Sequence, residues 1–382
     1  MKILIMTMTS GEGHNSFARA IAEECARRGH EWEVWDIFST KPNAHALNDK
    51  GYVLLTKYFR APYSAVWEYQ IKRSPDRWTT GIFVQSLKTL KKDVLKKLED
   101  SRPDVVICTH YYAADAMSLL AHEGKTDVPF YFVLTDYFTY PNVEVAKMAQ
   151  KIFVPTLHAV DGVLAQGFTL DHVVVTGGLP VKSDFVRCED KTQARAKLGL
   201  EDKFTVLVFA GSAGERPACA VLKSIRKQFG SDVNLVFIAG RNKKERAKVE
   251  RKVATGVLAD VRVEGFVNNM HEFMAAADLV VCKASGSSLA ECAKMGIPVV
   301  IRENMIINEK RNAQVLCGNG AAVVLDKASD AGPVLNSLLA RVDGLSELSR
   351  GISSFAGDTT TDVILDTVER DFAEKHGESQ QK

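Results

Sequence analysis

The stretch Leu279-Val280-Val281-Cys282-Lys283-Ala284-Ser285-Gly286-Ser287-Ser288-Leu289-Ala290-Glu291-Cys292 changes character within a few residues. Leu279–Cys282 is a short unbroken apolar run, which suits a strand buried on both faces. Ser288–Met295 reads as a helix, and Gly296-Ile297-Pro298 stops it before a second apolar run, Val299–Ile301. A buried strand, a turn of small residues, a helix and another buried strand make one unit of a parallel sheet. The turn also invites a ligand. Ser285, Gly286, Ser287 and Ser288 leave room at a helix N-terminus, whose free amides and positive dipole end favour a pyrophosphate. Glu291, expected in the first helical turn, is placed to chelate vicinal hydroxyls of a ribose. Complementing the helix dipole is its plainer use.

The same alternation runs through most of the chain. Strands are expected at Lys2–Met8, Glu31–Asp36, Val105–Thr109, Phe130–Leu134, Lys151–Val154 and His172–Thr176. A second series follows at Thr205–Phe209, Asn234–Ala239, Val261–Glu264, Leu279–Cys282, Val299–Ile301 and Ala322–Leu325. Helical patterns such as Ser16–Arg28, Lys88–Glu99 and Pro217–Gln228 lie between them. The chain of 382 residues is long enough for two cores. The expected fold is α/β, with two doubly wound Rossmann-like domains facing an interdomain cleft. Residues 1–185 form the first domain and 186–358 the second. A last helix in 359–382 crosses back to the first domain and ends in a frayed tail.

Ligands in such sheets bind beyond the carboxyl ends of the strands, so the loops there matter most. After the first strand stands Thr9-Ser10-Gly11-Glu12-Gly13-His14. Gly11 and Gly13 permit a tight turn, and His14 suits a general base acting on an acceptor hydroxyl, or a structural histidine at a helix start. Gly211-Ser212-Ala213-Gly214-Glu215-Arg216-Pro217 follows the strand Thr205–Phe209 and leaves room for a diphosphate; an ordinary strand–helix turn is the alternative. It is neither a P-loop nor a dinucleotide fingerprint. Asn308-Glu309-Lys310-Arg311-Asn312 opens a polar helix able to reach sugar hydroxyls. The chain contains no Asp-x-Asp, so a leaving diphosphate is expected to rely on amides, hydroxyls and Arg216, with no metal and no cofactor beyond the donor.

Net charge is +2, which predicts no nucleic-acid binder overall. Segment 50–97 departs from that balance, with eleven basic residues against three acidic ones. Aromatic residues are interleaved, and Tyr58, Arg60, Trp67, Arg73 and Trp78 are the expected contacts to an acceptor or an anionic membrane surface. A nucleic-acid surface uses similar residues but is the weaker reading, and a helical excursion with solvated lysines is the plain one. The seven cysteines include no Cys-x-x-Cys pair and read as reduced thiols. The first apolar run is too short for a leader, and no stretch reaches the roughly 18 apolar residues of a span. A cytoplasmic protein, peripheral on the cytoplasmic membrane face, is expected.

Taken in order, these segments resemble a family. The Ser-Gly-Glu-Gly-His turn, the aromatic–basic segment and Leu134-Thr135-Asp136 look like the N-terminal domain of monogalactosyldiacylglycerol synthases and processive diacylglycerol glucosyltransferases. Val175-Thr176-Gly177-Gly178-Leu179-Pro180-Val181 is similar to their domain junction. Gly265-Phe266-Val267, the Ser285–Glu291 loop and Asn308-Glu309-Lys310-x-Asn312-Ala313 resemble the C-terminal domain of family-28 glycosyltransferases of GT-B architecture. The resemblance implies inverting, metal-independent transfer of a hexose from a UDP-sugar to a lipid hydroxyl, most directly diacylglycerol. It implies that Phe266 and Val267 hold uracil and Glu291 the ribose. Gly211–Gly214 and Gly286–Ser288 then surround the diphosphate, with Ser285 and Leu289 beside it. Asn308, Glu309 and Asn312 meet the sugar, and His14 activates the acceptor. Asp136 is expected to orient either His14 or the acceptor. The family's usual His and Trp after Thr-Asp are replaced by Tyr137-Phe138-Thr139-Tyr140-Pro141-Asn142-Val143. Its Gly-Gly is Ser285-Gly286, and its Gln is Asn308. The competing readings are another acceptor, a nucleotide-sugar epimerase and a non-catalytic nucleotide-sugar sensor.

Overall fold

The computed structural model describes residues 1–9, 13–40, 65, 69, 88–140, 143–210, 218–302 and 306–379. These residues divide into two compact units, Met1–Ser183 with Gly357–Lys382, and Asp184–Ala356.

In the first unit the order is β1 (Lys2–Thr7), α1 (Gly13–Arg27), β2 (Glu31–Asp36), α2 (Lys88–Ser101), β3 (Val105–Cys108), α3 (Tyr111–His122), β4 (Phe130–Val133), β5 (Ile152–Val154), α4 (Leu157–Leu164) and β6 (Val173–Val175). The six strands form one parallel sheet in the order β2-β1-β3-β4-β5-β6. Ile3, Leu4, Ile5 and Met6 are all buried, as expected for a strand covered on both faces. Ala18, Ile21, Ala22 and Cys25 repeat at helical spacing along α1 and face the same core. The sheet reverses direction between β1 and β3, so the loops after those two strands flank its switch point.

The chain returns to this unit in α13 (Thr360–Ser379), whose Ile364, Leu365 and Val368 complete its core. Charges reinforce the apolar contact. Arg28, directly after α1, reaches Asp366 at 2.6 Å, Glu369 at 3.0 Å and Asp362 at 3.1 Å, while holding Glu24 of α1 at 2.6 Å. Gly357 enters the returning segment at φ +54°, and a Cβ there would lie 2.5 Å from the Gly178 Cα. Backbone conformation and close approach therefore both require glycine.

The second unit contains α5 (Lys191–Lys197), β7 (Phe204–Phe209), α6 (Cys219–Phe229), β8 (Val233–Ile238), α7 (Lys243–Ala254), β9 (Val261–Glu264) and α8 (Met270–Ala276). It continues with β10 (Leu279–Cys282), α9 (Gly286–Met295), β11 (Val299–Ile301), α10 (Ile307–Gly318), β12 (Val323–Val324), α11 (Ala331–Ala340) and α12 (Gly344–Ser353). Its parallel sheet has the order β12-β11-β10-β7-β8-β9, with the switch point between β7 and β10. The sequence of Leu279–Cys292 sits beside that point. The fold is α/β with two six-stranded parallel sheets, each wound in both directions from its centre.

Candidate active site

At the switch point of the first sheet, the loops after β1, β3 and β4 converge on His14. Helix α1 opens at Gly13, three residues ahead of the expected Ser16, so His14 lies in its first turn. Its Nδ1 is 2.9 Å from the Thr109 carbonyl oxygen and 3.2 Å from Thr135 Oγ1. A carbonyl can only accept, so Nδ1 carries the proton and Nε2 keeps a lone pair. Burial holds the imidazole below the usual histidine range, against the opposing pull of the Thr109 carbonyl. The ring is therefore neutral at pH 7, with the tautomer of a base at Nε2.

His110 lies beside it, its ring centroid 4.6 Å away and the planes crossed at 73°. Here the tautomer is the opposite one. His110 caps α3, and its Nδ1 accepts from the Tyr112 amide at 3.1 Å, which leaves the proton on Nε2. Burial and the neighbouring His14 push His110 well below the ordinary histidine range. Asp136 is linked to His14 through Tyr140 and Thr135. Tyr140 donates its hydroxyl proton to Asp136 Oδ2 at 3.0 Å, and the Tyr140 oxygen lies 2.7 Å from Thr135 Oγ1.

At the switch point of the second sheet, β10 leads into the turn at Lys283 and α9 opens at Gly286. That start is two residues ahead of the expected Ser288, so Glu291 stands in the second turn and not the first. The dipole effect is confined to the first turn, so the dipole explanation of Glu291 loses its basis. Ser285 is the N-cap residue, and its hydroxyl donates to Ser288 Oγ at 3.0 Å without capping a backbone amide. The amides of Gly286, Ser287 and Ser288 open α9.

Helix α10 supports this turn from beneath. Asn312 is fully buried and its Nδ2 donates to the Ala284 carbonyl at 3.0 Å, which places it under the turn as an anchor and not among sugar-contacting groups. Glu309 is likewise engaged, accepting from the Ile306 amide at 3.3 Å and pairing with Lys283 Nζ at 3.2 Å. Asn308 Oδ1 is buried with no hydrogen-bond partner among the described residues, which suits an incoming donor. Arg302, at the end of β11, buries its guanidinium and donates from Nη2 to the Ala210 carbonyl at 3.0 Å, just before the loop at 211.

Phe266 is half-exposed after β9, with the Arg241 guanidinium 4.7 Å over its ring, and Val267 is partly buried. A half-exposed ring of this kind suits stacking on a base. Leu289 faces the core of its own unit. Gly13 is the first residue of α1. Gly11, Gly211, Ser212, Ala213, Gly214, Arg216, Tyr58, Arg60, Trp67, Arg73 and Trp78 lie outside the described residues. Within the basic segment, Lys92 and Lys96 are exposed on α2, whereas Lys91 pairs with Glu123 and Lys97 with Glu33. Two of the segment's eleven basic residues thus pair with the protein's own carboxylates.

Sequence reasoning missed Thr109, His110, Thr135, Tyr140, Lys283 and Arg302. His110 and Lys283 directly follow expected strands, and that position was the signal available. Arg302 follows an apolar strand and has no motif around it.

Residues 14–181 match the monogalactosyldiacylglycerol (MGDG) synthase family model, and residues 205–343 match the glycosyltransferase family 28 C-terminal domain. The chain is 25% identical over 370 residues to a processive diacylglycerol beta-glucosyltransferase of Bacillus licheniformis, covering 95% of this chain and 93% of that one. It is 26% identical over 342 residues to a probable chloroplastic monogalactosyldiacylglycerol synthase of Glycine max, covering 84% of this chain and 61% of that one. Among solved structures, MurG of Acinetobacter baumannii superposes with a TM-score of 0.61 at 14% identity, covering 97% and 99% of the two chains. Anabaena HepE in complex with UDP superposes with a TM-score of 0.59 at 15% identity, covering 97% and 100%. These structures share the two-domain GT-B type of fold. Each unit thus carries a match to a glycosyltransferase domain, and the relatives named are glycosyltransferases.

Proposed function

We propose that this glycosyltransferase transfers a hexose from a UDP-sugar to the hydroxyl of diacylglycerol at a membrane surface. Transfer inverts the anomeric carbon and needs no metal ion. The observation that carries the reading is His14, a neutral imidazole whose Nε2 is left basic at the switch point of the first sheet. The names of the relatives supply the acceptor class, and HepE with UDP is consistent with the donor.

In this mechanism His14 Nε2 takes the proton of the acceptor hydroxyl as its oxygen attacks the anomeric carbon. The new carbon–oxygen bond forms as the bond to the diphosphate breaks, and UDP leaves with the electron pair. The charge that develops there is met by the amides of Gly286–Ser288 at the start of α9, with Lys283 after β10 and Arg302 after β11 as cations at the same sheet end. Glu291 holds the ribose, and the Phe266 face with Val267 holds the uracil. Asn308 presents its buried oxygen to a hydroxyl of the donor. The loop 211–217 completes the diphosphate site, and Tyr58, Arg60, Trp67, Arg73 and Trp78 meet the anionic surface.

The test is UDP release from a panel of UDP-sugars, with and without anionic vesicles containing diacylglycerol, repeated in EDTA. Vesicle-dependent release that survives EDTA and yields a glycolipid supports the reading. UDP binding without vesicle-dependent release sinks the lipid acceptor. Epimerised donor appearing without any acceptor would replace transfer with epimerisation.

A further inference from the structure

Tyr140, in the stretch that follows Thr135-Asp136, is wired to His14. Polarity along the connection is fixed from one end. The Asp136 carboxylate can only accept, so Tyr140 donates to its Oδ2 across 3.0 Å. With that proton committed, the Tyr140 oxygen accepts from Thr135 Oγ1 at 2.7 Å. The Thr135 proton is then spent as well, and its oxygen presents a lone pair to His14 Nδ1 at 3.2 Å. The Thr109 carbonyl at 2.9 Å is a second acceptor on the same nitrogen. Nδ1 must therefore carry a proton whichever of the two it favours.

We propose that Tyr140 and Thr135 are positioning residues that couple the Asp136 carboxylate to His14, locking the tautomer in which Nε2 is the base. The role in catalysis rests on the transfer reaction proposed above, whereas the coupling itself does not. No proton leaves the chain in the resting state. When Nε2 accepts a proton, the imidazolium charge is met by two aligned hydroxyl dipoles, those of Thr135 and Tyr140, ending on a carboxylate. Burial supports the alignment, since Thr135 and Tyr140 are 3% and 6% exposed and have little water to compete for these bonds. Burial and the Asp136 charge also push the Tyr140 phenol well above its usual range, so it stays a donor. Among the described residues, the titratable groups on the strand ends and helix start around His14 include His110, Tyr111 and Tyr112 at the start of α3, and Asp36 at the end of β2. His110 is neutral, and Asp36 is held by Thr9. None of these can substitute for Asp136 at Nδ1, because the two atoms facing it are the Thr109 and Thr135 oxygens.

The experiment uses the full chain without ligand, with ¹⁵N-labelled histidine and the His14 signals assigned from a His14→Gln variant. In the native protein Nδ1 should be protonated and Nε2 bare. Tyr140→Phe should lower the His14 midpoint by roughly half a unit to one unit and broaden its tautomer signature. Asp136→Asn should shift it the same way, and the double variant should shift it no further than either single one. Thr135→Val should reproduce the effect and Thr135→Ser restore native behaviour, which keeps the test alive if Tyr140→Phe does not fold. In turnover assays kcat should drop about tenfold with UDP affinity unchanged. An unmoved midpoint in both Tyr140→Phe and Thr135→Val, or additive shifts in the double variant, overturns the coupling. Because the ring is read without substrate, a responsive His14 in a protein that transfers no sugar would preserve the coupling and discard the transfer reading.

Discussion

Replacing Asn312 with leucine isolates the support beneath the α9 turn. Asn312 and Ala284 are both fully buried, and the amide donates to the Ala284 carbonyl at 3.0 Å. Leucine is close in volume and removes the donor while leaving that carbonyl in a site closed to water. An unsatisfied buried acceptor costs about 1–3 kcal/mol. For a unit of this size each kcal/mol lowers Tm by roughly 2–4 °C, so a fall of about 2–12 °C is expected. Part of the same energy governs ligand binding, because the turn carrying Ser285 and the α9 amides must keep its shape to meet a diphosphate. If all the cost falls on that shape, UDP affinity drops by about 5- to 150-fold. Calorimetric titration with UDP and thermal denaturation with and without UDP separate the two shares. Native UDP affinity together with native Tm in Asn312→Leu would show that the turn does not depend on this bond, and the placement of Asn312 as its anchor would fail.

His14→Ala should reduce kcat by about 10²–10⁴-fold while leaving the UDP dissociation constant within twofold, measured by turnover and titration together. Since burial lowers the His14 pKa, the base form persists below pH 6.5; kcat/KM should therefore stay level from pH 8 to about 6.5 and fall only at lower pH. An acid limb above 6.5 would contradict the burial. Phe266→Ala should weaken UDP binding by roughly five- to tenfold with kcat little changed, which the same titration detects. Arg28→Gln should loosen α13 from α1, costing about 1–2 kcal/mol once the exposure of Asp362 and Asp366 is discounted, and the loss should shrink in high salt. The Arg27 guanidinium, with Arg28 beside it, holds Glu24 down to about 2, so this part of the stability is full above pH 4.5 and is lost as the pH falls through about 2. Denaturation curves between pH 7 and 3 should therefore steepen less in Arg28→Gln than in the native chain.

Much of the architecture was legible before any coordinates, because secondary structure here follows local period. Apolar runs such as Ile3–Met6 and Leu279–Cys282 are too continuous for a surface element, and each became a central strand of a parallel sheet. The loops after those strands were likewise identifiable, since ligand groups gather at the carboxyl ends of strands for reasons of topology. His14, Ser285–Ser288 and Asn308 were singled out on that ground. Helix starts were read two or three residues late at α1 and α9, where glycines and serines give no apolar signal.

Partnership across sequence distance was decided by the tertiary structure. Thr109 and Thr135 lie 95 and 121 residues from His14, and no local pattern joins them. Their meeting follows from the order β1-β3-β4 at the centre of the first sheet, which sets three strand ends side by side. In the same way, the order β11-β10-β7 carries Arg302 to the Ala210 carbonyl 92 residues away. Asn312 and Glu309 show the opposite case. Their residue types suited a sugar, but packing turned one beneath Ala284 and the other onto Lys283 and the start of its own helix. Periodicity determines which face of an element is buried; only the assembled sheet determines what that buried face meets.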